Sequence, residues 1–163
     1  MHEAVIETRR LRLVPKTLDE VRAQIEGMTT EQRAELSAAW LAQLDAAAVD
    51  LWTLGFDIVE RTSDTVVGGC GFKGPPGADG DVEIAYGVAP MYQGRGYATE
   101  AAAALVAYAF GNGRVRKVRA HTFAAGNAST RVLTKCGFHA VGEFTDPEDG
   151  LVSRWEIERD ATA

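Results

Sequence analysis

Two glycines in the middle of the chain have the spacing of an anion-binding loop. Gly94 and Gly96 lie between residues 82–88, which alternate as a strand does, and the alanine-rich residues 99–110, which predict a helix. The first turn of a helix carries backbone N–H groups without intrahelical partners and is the positive end of the helix dipole. Glycine lets an anion approach the main chain closely and adopts positive φ readily. The spacing therefore predicts a phosphate-binding loop, with a tight strand-to-helix turn as the alternative.

The composition narrows the class of protein. The chain has 163 residues, of which 46% are hydrophobic and 25% are charged, so we expect one globular domain over residues 1–163. A net charge of −6 argues against nucleic acid as the main partner. Cys70 and Cys136 form no CxxC motif, and no His cluster has metal-ligand spacing, which predicts free thiols and no metal. Neither a signal core nor an apolar stretch of membrane-spanning length is present, so we expect a cytoplasmic protein without a membrane partner.

Hydrophobic periodicity predicts the element order β-α-α-β-β-β-α-β-α-β-β. The predicted strands cover residues 5–14, 52–60, 66–72, 82–88, 115–123, 138–144 and 151–158, and the predicted helices cover residues 18–25, 29–48, 99–110 and 128–135. This order predicts an α/β (α+β) fold, with a mixed, mostly antiparallel sheet of about seven strands and helices on both faces. Arg9, Arg10 and Arg12 on the first strand are interpreted as a solvated face, with an anion site as the alternative.

The glycine loop resembles a family signature. The segment QGRGYA matches the Q/R-x-x-G-x-G/A signature of the GNAT superfamily of N-acetyltransferases, with Gln93, Gly96 and Ala98 on the defining positions. The longer stretch GVAPMYQGRGYATEA is similar to the branch that acetylates the N-termini of ribosomal proteins. The resemblance implies that the loop binds the pyrophosphate of acetyl-coenzyme A. The cofactor-binding residues that we expect in this region are Val88, Gln93, Gly94, Arg95, Gly96, Tyr97, Ala98 and Thr99.

A later segment, NASTRVLTKCGF, resembles the N-x-x-S-x-x-V-L-x-K-x-G-F helix of the same family. The resemblance implies that Asn127 binds the coenzyme arm and that Ser129 belongs to the catalytic site. The stretch from Asn127 to Leu133 is one residue shorter than the pattern, so one of the two polar residues keeps its place or the loop shifts to let both serve. A helix cap and an exposed hydroxyl are the respective alternatives. Many relatives outside this branch carry a tyrosine that acts as the acid where this chain has Leu133, which excludes a tyrosine acid from this helix.

The resemblance also bears on proton transfer and on the shape of the sheet. Acetyl transfer needs a neutral amine, whereas an α-amino group titrates near 8 and lysine near 10. We expect Glu83 to act as the general base, directly or through one water, with a solvated carboxylate as the alternative and His121 as the reserve base. The backbone N–H near Val88 is the expected donor to the thioester carbonyl. The strands on either side of the long helix are implied to splay and to leave a wedge for the pantetheine arm.

The function expected from these residues is acetyl transfer from acetyl-coenzyme A to a primary amine. Neither Cys70 nor Cys136 has a sequence partner that would mark it as a nucleophile, which favours direct attack in a ternary complex. The amine acceptor is a small molecule or a protein N-terminus. A non-catalytic domain that binds or senses acyl-coenzyme A is the alternative. The acceptor, the length of the acyl group and the formation of a homodimer stay open.

Overall fold

A computed structural model describes residues 5–34, 36, 38, 41, 51–123, 128–146 and 150–159 of the chain. The strands are β1 (Ile6–Glu7), β2 (Leu11–Pro15), β3 (Phe56–Glu60), β4 (Thr65–Phe72), β5 (Asp81–Val88), β6 (Lys117–Phe123), β7 (His139–Asp146) and β8 (Gly150–Glu158). The helices are α1 (Leu18–Glu26), α2 (Thr30–Ala34), α3 (Leu51–Leu54), α4 (Tyr97–Phe110) and α5 (Ala128–Lys135). Among these, no helix is long and apolar enough to cross a membrane.

All eight strands belong to one sheet, in the order β1-β2-β3-β4-β5-β6-β8-β7. Neighbouring strands are antiparallel except β5 and β6, which are parallel. The predicted mixed, mostly antiparallel sheet is thereby confirmed. It has eight strands because residues 5–14 form a hairpin instead of one strand. The Thr8 hydroxyl accepts a hydrogen bond from the Leu11 N–H at 3.0 Å, and the Thr8 N–H donates to the Leu11 carbonyl at 2.9 Å, which closes the turn.

Two predicted boundaries differ from the structure for local reasons. Trp52 was expected in a strand but lies in the short helix α3, and Gly55, with φ of +81°, separates this helix from β3. The Trp52 ring packs on Phe72 with 4.5 Å between ring centres, so its apolar surface belongs to the core. Helix α4 begins at Tyr97, two residues earlier than expected. The predicted helix over residues 29–48 corresponds in part to α2, and most of its remainder lies outside the described residues.

Helix α4 packs closely on the sheet because the side chains on its buried face are small. Ala101, Ala102, Leu105 and Ala109 are fully buried in the core. The helix packs most extensively on β5, whose apolar face includes Val82 and Ile84. Alanine has the highest helix propensity and little side chain to displace a strand, so this composition supports both the helix and its close approach. The end of α4 that follows the glycine loop is therefore held at a fixed place beside β5.

The sheet opens between its two parallel strands. The pairing of β5 with β6 ends where Glu83 faces Arg119. Beyond that pair, β5 stays bonded to β4 as far as Val88, and β6 stays bonded to β8 as far as Phe123. Strand β5 therefore diverges together with β4, and β6 diverges together with β8. The splay that the family resemblance implied is confirmed.

Candidate active site

The loop between β5 and α4 has the backbone conformation that its glycines allow. Gly94 and Gly96 have φ of +79° and +84°, in the left-handed region that glycine adopts at little cost. Gly96 is the N-cap residue of α4, and within the described part of the chain no side chain caps this helix end. A Cβ placed on Gly94 would meet nothing within 4 Å. The N-terminus of a 14-residue helix is therefore open to an anion.

This helix end forms one wall of a cleft of about 440 Å³, a volume typical of small-molecule sites. Strand β5, the glycine loop, the first turn of α4 and one face of α5 surround it. Its lining residues are Tyr86, Gly87, Val88, Tyr92, Gln93, Gly94, Gly96, Tyr97, Ala98, Thr99, Arg131, Val132 and Lys135. Seven of the expected cofactor-binding residues are thus brought together, and Arg95 is the member of the signature that does not line the cleft.

Gln93 connects the loop to the end of β5. Its side-chain Nε2 donates to the main-chain carbonyl of Val88 at 2.9 Å. On the other edge of the strand, the Ala89 N–H donates to the Val67 carbonyl at 2.8 Å. Successive residues of a strand direct their N–H groups to opposite edges. The Val88 N–H is therefore directed toward the edge from which β6 has diverged, where a thioester carbonyl was expected.

The side chains of two signature residues contact other protein groups. The Tyr97 hydroxyl donates to the carboxylate of Glu60, and the Tyr97 side chain is nearly buried. The Arg95 guanidinium lies over the Tyr92 ring, 5.5 Å from its centre. A direct contact of Arg95 with the coenzyme stays a prediction.

Arg10, expected on a solvated strand face, is 44% exposed and also contacts the long helix and the glycine loop. Its Nε donates to Oε1 of Glu100 in α4 at 2.7 Å, and its Nη1 donates to the Arg95 carbonyl at 2.8 Å. Arg12 forms an ion pair with Asp64. Sequence periodicity could not show the contacts of Arg10, because this residue lies in a hairpin turn that periodicity did not predict.

Helix α5 brings two cations to the cleft that sequence analysis did not single out. Arg131 and Lys135 are one turn apart on the exposed face of α5, and both line the cleft. Neither forms an ion pair with any described residue. Their i, i+4 spacing was visible in the sequence, but only the fold shows that this face is opposite the glycine loop.

The other predicted residues of this helical segment are less informative. Asn127 lies outside the described residues, and for Ser129 the structure describes the backbone within α5 but not the side chain. Their roles at the coenzyme stay predictions. Leu133 is fully buried in the core, consistent with the exclusion of a proton donor at this position.

Glu83, the expected base, and His121, the reserve base, are in direct contact. His121 Nδ1 lies 2.7 Å from Glu83 Oε2, and Lys73 Nζ lies 3.0 Å from the same oxygen. Arg154 Nε donates to His121 Nε2 at 3.5 Å. Burial of Glu83 favours protonation, but the hydrogen bond from His121 and the charge of Lys73 outweigh it, and the pKa of Glu83 is lowered. Glu83 is therefore an ionised, largely buried carboxylate where β5 and β6 begin to separate.

A second polar cluster lies farther along the same sheet. His139, Glu156 and Glu158 place their ligand atoms within 4.8 Å of one another, an arrangement that could hold a cation. Lys117 Nζ lies 3.2 Å from Glu156 Oε1 and already neutralises part of this charge. The spacing in the sequence could not reveal the cluster, because its members come from the two paired strands β7 and β8.

The sheet is mixed and opens between two parallel strands, and a glycine loop and a helix N-terminus lie at the opening. This is the architecture of an acyl-group transferase domain. The family model described as an acetyltransferase (GNAT) domain matches residues 4–139. The chain therefore belongs to the GNAT family of acetyltransferases.

Two curated bacterial proteins match about half of the chain. The uncharacterized N-acetyltransferase YjdG of Bacillus subtilis is 34% identical over 89 residues, which are 53% of this chain and 53% of that protein. The uncharacterized N-acetyltransferase p20 of Bacillus licheniformis is 29% identical over 93 residues, 57% of this chain and 52% of that protein. The chain spans about half the length of the curated relatives it matches.

Solved structures share the fold over most of the chain. A GNAT-family acetyltransferase from Bacillus anthracis has a TM-score of 0.68 and 20% identity, covering 94% of this chain and 98% of that one. RimL, a ribosomal L7/L12 α-N-protein acetyltransferase in complex with coenzyme A, has a TM-score of 0.69 and 17% identity, covering 96% and 99%. A spermidine N-acetyltransferase chimera from Vibrio cholerae and hSSAT has a TM-score of 0.67 and 18% identity, covering 91% and 95%. At these identities the likeness shows the fold alone.

Proposed function

We propose that the protein is an N-acetyltransferase that transfers the acetyl group of acetyl-coenzyme A to a primary amine. The observation that carries this proposal is the cleft at the start of α4. Its glycine loop leaves the helix N-terminus without a side-chain cap, and Arg131 and Lys135 add two positive charges on the opposite wall. Backbone N–H groups, a helix dipole and two cations together suit a pyrophosphate.

The remaining features of the cleft suit the rest of the coenzyme. The main chain at Gly94 is open, so a phosphate can approach it closely. The separation of β5 from β6 leaves a gap beside Val88 for an extended arm that bonds to a strand edge. Asn127 and Ser129 stay our proposed contacts to that arm. Arg95 and the backbone N–H groups from Gly94 to Thr99 complete the proposed binding set.

Acetyl-coenzyme A supplies the acetyl group as an activated thioester. The amine nitrogen attacks the carbonyl carbon, a C–N bond forms, the C–S bond breaks, and the sulfur leaves as a thiolate that is then protonated. The Val88 N–H donates to the carbonyl oxygen, whose negative charge increases during attack. The ammonium loses one proton to a base, for which we propose Glu83, before the neutral amine attacks. The nitrogen loses a second proton after attack, and this loss balances the proton that the leaving thiolate takes up.

The contacts of Glu83 support this role. Within the described residues both partners bind Oε2, so Oε1 is the oxygen that we assign to the amine or to one bridging water. The lowered pKa keeps the carboxylate ionised at neutral pH, and only the ionised form can accept a proton. His121 and Lys73 hold the carboxylate in one orientation.

The acceptor that we propose is a primary amine, either small or at a protein N-terminus. Structural neighbours include enzymes described as acting on a ribosomal protein and on spermidine, and both acceptors present a cationic amine before reaction. The net charge of −6 is consistent with a cationic acceptor. These observations support the class of acceptor and leave its identity to experiment.

Binding of acetyl-coenzyme A and release of free thiol test the proposal separately. We expect acetyl-coenzyme A to raise the melting temperature, because a ligand that binds only the native state stabilises it. Gly96→Val should abolish the shift, since valine is strained at φ of +84°, whereas Gly113→Val at an open position should retain it. A panel of amines should then reveal thiol release with at least one acceptor.

The outcomes distinguish the two functions considered. A thermal shift together with amine-dependent thiol release supports the transferase. A shift without release for any amine in the panel would favour a domain that binds or senses acyl-coenzyme A. No shift with acetyl-coenzyme A would remove the basis of both.

A further inference from the structure

The side chain of one arginine in the first hairpin contacts the junction between the glycine loop and α4 in three ways, and its backbone N–H donates to Glu100 Oε2 at 2.8 Å. Arg10 Nε donates to Glu100 Oε1 at 2.7 Å, and Arg10 Nη1 donates to the Arg95 carbonyl at 2.8 Å. The guanidinium carbon also lies 4.8 Å from the centre of the Tyr97 ring. The planar fork of arginine can make two directed bonds and one stacking contact at once, which lysine cannot. One side chain thus joins the hairpin, the loop and the helix.

We propose that Arg10 is a positioning residue for the coenzyme site. It fixes the loop so that the loop N–H groups point at a pyrophosphate, and it neutralises the carboxylate of Glu100 beside them. The inference rests on the proposed function, because it assigns the loop to acetyl-coenzyme A. Arg10 acts through the loop and has no assigned contact with the ligand.

The first part of the argument concerns the peptide between Arg95 and Gly96. The carbonyl and the N–H of one planar peptide unit point in opposite directions. Because Arg10 holds the Arg95 carbonyl on one side, the N–H of Gly96 is directed to the other side. Gly94 and Gly96 make the loop conformationally permissive, so other orientations of this peptide are accessible once the carbonyl loses its partner. The hydrogen bond from Arg10 therefore selects one orientation.

The second part concerns the charge of Glu100. This carboxylate lies in the first turn of α4, where an anionic ligand would also bind, and its side chain is 17% exposed. Burial favours its protonation, but hydrogen bonds from the Thr8 hydroxyl and from Arg10 outweigh burial and lower its pKa. Glu100 therefore stays charged at neutral pH. Without the positive charge of the Arg10 side chain, the Glu100 carboxylate would compete with the pyrophosphate for the positive end of the helix.

The experiment compares Arg10→Met with Arg12→Met, a change of the same kind in the same hairpin at a residue that pairs with Asp64. We expect Arg10→Met to weaken acetyl-coenzyme A binding about tenfold and to raise the KM for acetyl-coenzyme A by a similar factor. The kcat and the KM for the amine should stay within about twofold, because the reacting atoms are not touched. Arg12→Met should match the wild type. Arg10→Lys should bind acetyl-coenzyme A with an affinity between those of Arg10→Met and Arg12→Met, because lysine keeps the positive charge and lacks the planar guanidinium.

Two further measurements separate positioning from general stability. Adding Glu100→Gln to Arg10→Met should recover about threefold in affinity, because the uncompensated charge is removed while the loop peptide stays unheld. In the ligand-free protein, amide hydrogen exchange of residues 94–97 should be faster in Arg10→Met than in Arg12→Met. If Arg10→Met does not fold, Arg10→Lys carries the same measurements.

The results that would overturn the inference differ from those that would overturn the proposed function. If the wild type binds acetyl-coenzyme A and Arg10→Met binds it within twofold, Arg10 has no positioning role while the function stands. The same conclusion follows if Arg10→Met lowers kcat and leaves the KM for acetyl-coenzyme A unchanged. Unchanged hydrogen exchange in the loop also overturns the inference, whatever the binding result.

Discussion

His121 Nδ1 lies 2.7 Å from Glu83 Oε2, so two residues from neighbouring strands form one hydrogen-bonded pair. Arg154 donates to the other ring nitrogen, Nε2, which requires a lone pair there and places the proton of a neutral imidazole on Nδ1. In that tautomer His121 donates to Glu83 and fixes its carboxylate plane. The pair therefore resembles other carboxylate–imidazole units in which one group orients the other.

Replacement of Glu83 by glutamine tests its role as the base. We expect Glu83→Gln to lower kcat roughly 100-fold, within the range that general bases contribute, and to leave the KM for acetyl-coenzyme A within about twofold. The amide keeps the size of the side chain and removes the basic oxygen. Steady-state kinetics with a saturating amine measure the effect.

Asp81→Asn provides the matched control for this change. Asp81 lies two residues earlier on the same face of β5, and its carboxylate pairs with Arg119 at 2.9 Å. A similar loss of kcat in both variants would show that any lost charge on this face matters, and would contradict a specific role for Glu83. Unchanged turnover in Glu83→Gln would make it a structural carboxylate.

Much of the fold could be predicted because its signals are local. Alternation, helix spacing and glycine positions gave the correct type for most elements, and the strand–loop–helix unit around Gly96 has the predicted conformation. The hairpin at Thr8 and the helix at Trp52 were missed because both depend on short turns. The side-chain hydroxyl of Thr8 closes one turn, and the positive φ of Gly55 ends the other element.

The site was less predictable because its contacts join residues far apart in the chain. Glu83 and His121 meet only because β5 and β6 are parallel neighbours at that point. Arg131 and Lys135 line the cleft only because α5 lies across it from the loop. The periodicity of one segment does not show which residues of other segments it contacts, because these contacts depend on how the elements pack together.

The two cations on α5 should contribute to coenzyme affinity through charge. We expect Arg131→Gln and Lys135→Gln each to weaken acetyl-coenzyme A binding roughly three- to tenfold, because both side chains are exposed and partly screened. The loss should shrink as salt rises. Isothermal titration calorimetry at two salt concentrations measures it. Arg114→Gln, an exposed change outside the cleft, should have no effect, and an equal loss in that variant would indicate a general charge effect.

The hydrogen bond from Gln93 to Val88 should hold the loop against the strand. Gln93→Ala removes a bond worth about 1 kcal/mol, and we expect about threefold weaker binding of acetyl-coenzyme A. Gln93→Glu should weaken binding more than tenfold, because a carboxylate cannot donate to the Val88 carbonyl and repels a phosphate. Equal affinities for the two variants would show that the hydrogen bond, and not charge at this position, decides binding. Gln24→Glu on α1 serves as the control.

The thiols should be dispensable if attack is direct. Burial raises the pKa of Cys70 to about 12, and burial also raises the pKa of Cys136, so neither forms a reactive thiolate at neutral pH. We expect Cys70→Ala and Cys136→Ser to retain kcat within about threefold, and initial-rate plots with both substrates varied to intersect. Parallel lines, or inactivity of either variant with normal coenzyme binding, would instead indicate an acetylated cysteine.

Stability should depend on the ionisation of Glu100 below neutral pH. Hydrogen bonds from Thr8 and Arg10 lower its pKa in the folded state despite the opposing effect of burial. A carboxyl group with a lowered folded-state pKa stabilises the protein above its unfolded-state pKa, near 4.3, and this contribution is lost as the pH falls through the folded-state value. Urea unfolding between pH 3 and 7 should therefore show a smaller pH-dependent change in Glu100→Gln than in the wild type. As a control, Glu31→Gln, at an exposed position of α2, should retain the wild-type pH dependence. If Glu100→Gln also showed the wild-type pH dependence, the hairpin would not stabilise the ionised Glu100 carboxylate.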